Sequence, residues 1–236
     1  MRKLILISFL LIFVNCSETK LVEVHQGYAL GTSYSIQYGT INTPYDQVQQ
    51  GIDSLFTVIN ASMSTYIPTS DISKINKGDS SVKVNAHFKT VFAKATEVWK
   101  ATYGFFDPTV GAWVNAYGFG PEKPLNILTD ENKAHLKKIT GLNSIELTKE
   151  NFVKKKHAET YLDFNALAKG YTVDVLGDYL AQLGAANYLV EIGGEIVAHG
   201  VSPKTASTDV EIYENDIYEN TKFKGCYSLK PTNQVR

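Results

Sequence analysis

The chain has 236 residues, 44% of them hydrophobic and 20% charged, with 23 Lys plus Arg against 24 Asp plus Glu and a net charge of -1. That much apolar material excludes a wholly disordered chain, and the even charge balance excludes bulk nucleic-acid binding, which needs surplus Lys and Arg to displace counterions. Two cysteines, Cys16 and Cys226, exclude a disulfide scaffold and a zinc site built from several thiolates.

Arg2 and Lys3 precede the apolar run Leu4 to Val14, broken by Ser8. The run is shorter than the roughly 20 residues of a membrane-spanning helix, and its basic start reads as an export signal. Its end, Phe13-Val14-Asn15-Cys16, resembles a bacterial lipoprotein signal, in which the cysteine is lipidated and becomes the first mature residue. That motif carries Leu where Phe13 stands and a small residue where Asn15 stands. The expectation is a signal over 1–15 and an exported protein, lipid-anchored through Cys16 to a bacterial membrane and facing the periplasm or cell exterior. An ordinary cleaved signal or an N-terminal anchor is the plainer reading.

Leu21 to Tyr38 alternates and is rich in Val and Tyr, which predicts a strand pair interrupted at Gly27 and Gly31. Pro44 suits a first helical position, and Val48, Ile52, Leu55, Phe56 and Ile59 recur at helical spacing. Asn60 to Asp71 reads as a loop. Asn85 can cap a second helix with Phe88, Val91, Phe92, Ala95, Val98 and Trp99 on its buried face, ending by Gly104. A glycine- and aromatic-rich stretch around a short helix follows, from Phe105 to Pro124. Thr129 caps another helix, which ends near Gly141, and short strands fall at Ile145–Leu147 and Phe152–Val153. A helix from about Leu167 to Leu183 carries the stripe Val173, Leu176, Leu180 and Leu183, and Gly184 stops it. Strands at Tyr188–Ile192 and Glu195–Ala198 flank Gly193-Gly194. The irregular order predicts an α+β fold of mixed sheets with packed helices, not a doubly wound sheet.

Four clusters could carry chemistry. Leu30-Gly31-Thr32-Ser33-Tyr34 lets a ligand approach the backbone, or is a β-bulge. Ser62 to Asn76 surrounds Tyr66 with hydroxyls that could hold the edges of a planar ring stacked on it; equally, Ser70 or Asp71 can start a helix. Gly104 to Gly111 contains Asp107-Pro108, itself a plausible helix start. In Leu162 to Asp174 a strand end meets a helix N-terminus, whose free N–H groups, with Lys169, favour an anion; Asp163 could cap that helix or hold a ligand. GxGxxG after a strand, the Walker sequence, HExxH and GxSxG are absent. The five histidines share no ligand spacing and read as surface or satisfied core residues.

Taken in order, Met63-Ser64-Thr65-Tyr66, Phe106-Asp107-Pro108-Thr109-Val110-Gly111, Trp113 to Gly120, Ala168-Lys169-Gly170-Tyr171 with Asp174, and Glu191-Ile192-Gly193-Gly194-Glu195 resemble the FAD:protein FMN transferase family, the ApbE lipoproteins. The resemblance implies a Mg²⁺-dependent enzyme that splits FAD between its phosphates, releases AMP and attaches FMN to a Thr or Ser of an acceptor flavoprotein, a membrane redox-pump subunit or an extracytoplasmic protein. By position it implies FAD contacts at Leu30 (where members often carry Met), Tyr66, Phe105, Phe106, Asp107, Asp163 and Lys169. Ala166 falls on a metal-ligand position, where its backbone oxygen alone could serve. A flavin-binding lipoprotein without transfer chemistry is the alternative, and a purely structural lipoprotein a third reading.

The resemblance runs from about Gly27 to Gly200. The family's later His-x-Ile-Asp-Pro-x-Thr-Gly segment, and the Asp and Thr completing its metal site, find no counterpart from Thr205 onward. Here Glu211-Ile212-Tyr213-Glu214-Asn215 is nearly repeated by Asp216-Ile217-Tyr218-Glu219-Asn220. The expectation is an incomplete flavin transferase domain over 16–200, a divergent polar tail over 201–236, and a truncated or frameshifted product of uncertain activity.

Overall fold

The computed structural model describes residues 22–201 and two short strands beyond them; Cys16, the signal over 1–15 and most of 201–236 lie outside the described residues. The chain begins with the hairpin β1 (Glu23–Ala29) and β2 (Thr32–Tyr38), whose register closes at Ala29↔Thr32. Six helices and a small hairpin follow: α1 (Tyr45–Met63), α2 (Asp71–Asn76), α3 (Ala86–Ala101), α4 (Gly111–Ala116), α5 (Asp130–Ile139), β3 (Ile145–Leu147) with β4 (Val153–Lys155), and α6 (Asn165–Gln182). The hairpin β5 (Tyr188–Ile192) and β6 (Glu195–His199) then returns to the first, giving an antiparallel sheet in the order β1-β2-β5-β6. A last pair, β7 (Val210–Glu211) and β8 (Cys226–Tyr227), is antiparallel by itself. The α+β expectation holds.

Alternation explains the sheet's single covered face. Tyr34, Ile36 and Tyr38 point inward from β2, and Val190 and Ile192 from β5, onto Val48, Ile52 and Phe56 of α1 and Val173, Leu176 and Leu180 of α6. Each fully buried aliphatic side chain there contributes about 1.5–3 kcal/mol relative to exposure. A second core sits beneath α3, where Ile59, Met63, Ile72, Ile75, Phe88, Val91, Leu162 and Phe164 meet.

Several boundaries differ from the pattern reading. α1 runs on through Met63, because Ile59, Ser62 and Met63 are buried and Ser62 Oγ donates to Asn85 Oδ1 at 3.0 Å; the loop begins only at Ser64. Asn85 and Thr129 do cap α3 and α5, accepting from Phe88 N and Asn132 N. Asp107-Pro108 does not open a helix; α4 starts at Gly111. Leu30-Gly31 is no bulge but a two-residue hairpin turn, with φ of 52° and 77°. Both residues adopt a left-handed backbone, which is costly for a leucine, and its half-buried side chain packs against both cores.

This topology places three features at one sheet end. The Gly193-Gly194 turn lies beside the first hairpin turn, with Gly193 N donating to Ser33 O at 3.1 Å. A side chain on Gly193 would strike Thr32. α6 begins at the same end, where Glu195 approaches Gly170.

Candidate active site

The junction before α6 is assembled from four distant segments. The segment from Thr160 to Asp163 is not the strand end its sequence suggests but an extended stretch with one isolated parallel bridge, Val110 to Tyr161, held also by Asp163 N donating to Pro108 O at 2.8 Å. Gly111 faces Tyr161 and Asp163 so closely that a Cβ there would meet the Tyr161 ring at 2.4 Å and Asp163 Cβ at 3.2 Å. The glycine of this cluster therefore serves close approach between α4 and the junction. From the other side, the Asn76 side-chain amide accepts from Leu162 N and donates to Leu162 O, both at 2.8 Å. The Lys155 ammonium donates to Asn76 O and Thr160 O, each at 3.0 Å, and burial lowers its pKa to about 8.

Asp163 accepts from Asn165 N at 2.7 Å and from Asn165 Nδ2 at 3.1 Å, so it caps the first turn of α6. Burial pushes its carboxyl above the usual carboxylate value, against the pull of those two bonds. Lys169 stands in the second turn, half-buried, and its ammonium has no hydrogen-bond or ion-pair partner among the described residues. An N-terminal dipole and a free ammonium together favour an anion here. Tyr171 donates to or accepts from His87 Nδ1 at 2.8 Å, and Asp174 is pushed up by burial and then by Asp178.

The second carboxylate candidate is already occupied by the protein. Asp107 Oδ1 accepts from Thr109 N at 2.8 Å and Thr109 Oγ1 at 2.5 Å, and Oδ2 accepts from Trp99 Nε1 at 3.1 Å and Leu142 N at 3.2 Å. Thr109 Oγ1 also accepts from Gly141 N at 2.7 Å. Asp107 thus ties the end of α3, its own turn and the turn after α5 together.

The aromatic candidates separate. Tyr103 (φ 54°) and Gly104 (φ 83°) turn the chain so that Phe105 is 95% exposed, whereas Phe106 is half-buried against the second core. Tyr66 is 59% exposed, and its hydroxyl donates to Phe119 O at 3.4 Å. Phe119 N in turn donates to Val114 O of α4. Tyr66 is thus linked to α4 only through Phe119, and α4 in turn packs on the Asp163 junction at Gly111. Neither of two surface clefts, about 260 Å³ at Lys138, Ser144 and Lys156 and about 330 Å³ at Asn115, His135 and Tyr161, is lined by Tyr66, Asp163 or Lys169.

Ala166 lies in the first turn of α6, where a carbonyl points up the helix into its hydrogen-bond ladder. No three His, Cys, Asp or Glu side chains converge among the described residues. Asp163 and one backbone oxygen do not make a divalent-cation cage, so the donor set described does not by itself fit Mg²⁺.

Asn76, Lys155, Thr109 and Gly111 were not singled out for the roles they take. Asn76 and Thr109 stood inside segments read for hydroxyls and motif. Lys155 stood in the run Lys154-Lys155-Lys156, which looks like a solvated face.

The ApbE family model matches residues 30–233, well over half of the chain and into the segment after 200. The chain belongs to the ApbE family. It is 37% identical over 193 residues to the FAD:protein FMN transferase of Haemophilus influenzae, covering 78% of this chain and 56% of that protein. It is 38% identical over 207 residues to the one from Vibrio cholerae, covering 84% and 61%. The chain thus spans little more than half the length of these curated relatives. Among solved structures, the flavin transferase ApbE from Vibrio cholerae superposes with a TM-score of 0.76 at 35% identity, covering 82% of this chain and 64% of that one. This ApbE-family chain shares their α+β fold over the residues that carry the Tyr66 loop, the Asp107 turn and the Asp163 junction.

Proposed function

We propose that this chain acts as an FAD:protein FMN transferase, moving FMN from FAD onto a Thr or Ser of an acceptor flavoprotein with release of AMP. Family membership and the relatives named for that activity support the reading. The observation that carries it is the start of α6, where the Asp163 carboxylate holds the first backbone N–H and the unpartnered Lys169 stands one turn along the same helix, with Asp163 packed against α4 at Gly111.

The residues divide the ligand between them. Tyr66 and Phe105 offer exposed rings on which an isoalloxazine or adenine can stack, each such stack contributing about 1 kcal/mol beyond burial. The α6 dipole and Lys169 favour the diphosphate and the charge that develops on its bridging oxygen. The Asp163 carboxylate opposes an anion unless a cation pairs with it. Mg²⁺, if held, would supply neutralisation of phosphate charge; of the described groups, the Asp163 carboxylate and the Ala166 carbonyl are the ones offered for it, and alone they would leave its coordination incomplete. Asp107 holds the Phe105 loop in place through its bonds to Trp99, Thr109 and Leu142.

Export and lipidation at Cys16 belong to the same proposal, since a tethered enzyme outside the cytoplasm meets extracytoplasmic acceptors. Mass spectrometry of the mature N-terminus tests it, and an unmodified Cys16 ends it. For the activity, the chain is incubated with FAD, Mg²⁺ and a candidate acceptor, with and without EDTA, and read by in-gel flavin fluorescence. A labelled acceptor that disappears with EDTA supports the whole reading. FAD binding without a labelled acceptor leaves a flavin-binding protein, and no FAD binding removes both.

A further inference from the structure

The Lys155 ammonium is half-buried with no carboxylate partner among the described residues, and its two hydrogen bonds go to backbone carbonyls from chain segments far apart in sequence. Removing an ammonium from water without an opposite charge is costly, and an apolar side chain of the same length would fill this space without that cost. Packing alone therefore does not account for a lysine here. Its two acceptors do. Asn76 O belongs to the residue whose side chain clamps Leu162 on both backbone groups, and Thr160 O begins the segment that leads to Asp163. Thr160 Oγ1 also donates to Ile139 O at 2.8 Å, so the far end of that segment is fixed independently.

We propose that Lys155 and Asn76 form a latch that positions Asp163 and the first turn of α6, and so sets the geometry of the phosphate-binding end of the site. Lys155 touches no ligand; it is a positioning residue, and the inference rests on the reading that FAD binds at this junction. The mechanical path is short. Asn76 and Lys155 hold the segment from one side, and Pro108 and Val110 hold it from the other. Loosening one side lets Asp163 shift relative to Lys169, and the diphosphate loses its aligned partners while the flavin-stacking loop at Tyr66 is untouched.

The latch is also sensitive to protonation. Charged groups stand on the surrounding elements. On β3, Glu146 faces Lys154; on and after α2 stand Asp71, Lys74, Lys77 and Asp79; after β4 come Lys156, His157 and Glu159, the last paired with His135 at 3.2 Å; and Asp163 follows Leu162. None of them moves Lys155, whose pKa is lowered by burial alone. An ammonium donates more strongly to carbonyls than a neutral amine, so the latch weakens as pH rises through about 8.

The test uses the full chain in four forms: wild type, Lys155→Met, Lys155→Arg and Asn76→Ala. Affinities for FAD and for riboflavin are measured by flavin fluorescence from pH 7 to 10, with near-ultraviolet circular dichroism as the check on folding. Lys155→Met, which removes the charge-assisted bonds, and Asn76→Ala, which removes the two amide bonds to Leu162, are each expected to weaken FAD about tenfold and to leave riboflavin unchanged. Lys155→Arg restores most of the FAD affinity. Wild-type FAD affinity falls above pH 8, and the Lys155→Arg curve stays flat there, because guanidinium does not titrate in that range. Equal losses for FAD and riboflavin, or unchanged FAD affinity in a folded Lys155→Met, would overturn the latch. If Lys155→Met fails to fold, a Lys155→Arg curve that falls with the wild type's overturns it instead. A wild type that binds no FAD at all removes the underlying reading, an outcome distinct from a wild type that binds while the variants match it.

Discussion

Asp107 and Asp163 sit on adjoining segments, and the sequence resemblance treats them alike, yet their surroundings differ. Asp107 accepts four donors from Trp99, Thr109 and Leu142, three parts of the chain it binds together. Asp163 accepts from Asn165 alone, stands at a helix start and is pushed by burial toward its neutral form. The protein's own donors occupy both oxygens of Asp107, whereas those of Asp163 meet a single residue, so the two carboxylates differ in how much accepting capacity is left free.

The largest expected effect tests the scaffold half. Asp107→Ala strands the Trp99 indole N–H and the Leu142 N–H, and should cost about 3 kcal/mol of stability in urea unfolding. A loss confined to FAD affinity, with stability intact, would put Asp107 among the ligand contacts instead. Asp163→Ala removes only a cap and should cost about 1 kcal/mol, whereas Asp163→Asn, which can cap equally well, should cost a few tenths. Both should change FAD binding at the diphosphate end, so a neutral result for both in titration breaks the contrast. Tyr66→Ala should weaken FAD about fivefold and leave stability within about 0.5 kcal/mol, because the ring is exposed.

The smallest effect is a slope with pH. Between the ordinary Asp value of 3.8 and its raised value in the fold, Asp163 holds its proton more firmly in the folded chain than in the unfolded one. Stability therefore falls as pH rises through that window, and Asp163→Asn should flatten this part of the urea-midpoint profile. A variant profile parallel to the wild type's would show that the carboxyl is not strained by burial.

Much of the architecture was legible because it depends on local periodicity. Alternation around Tyr34, Ile36 and Tyr38 marks β2, and Val173, Leu176 and Leu180 mark α6. Asn85, Thr129 and Gly184 end or begin elements through backbone chemistry that acts within a few residues. The strand break at Gly31 is where the hairpin turns, but the left-handed leucine beside it has no local signal; its side chain is held by both cores, which no local rule sees. Phe105 and Phe106 are indistinguishable as neighbours in sequence, and only the turn at Tyr103 and Gly104 sends one ring outward and the other in.

The sequence by itself determined the family, the α+β class and the segments from which a flavin-transfer site would be drawn, because ordered motifs and short-range periodicity survive without coordinates. The tertiary structure decided which of those residues hold the site together. Asn76 clamps Leu162 across 86 positions, Lys155 bridges Asn76 and Thr160, and Thr109 and Leu142 gather around Asp107. Hydrogen bonds between residues so far apart along the chain leave no periodic trace, so their partners become visible only when folding brings them within 3 Å or so of one another.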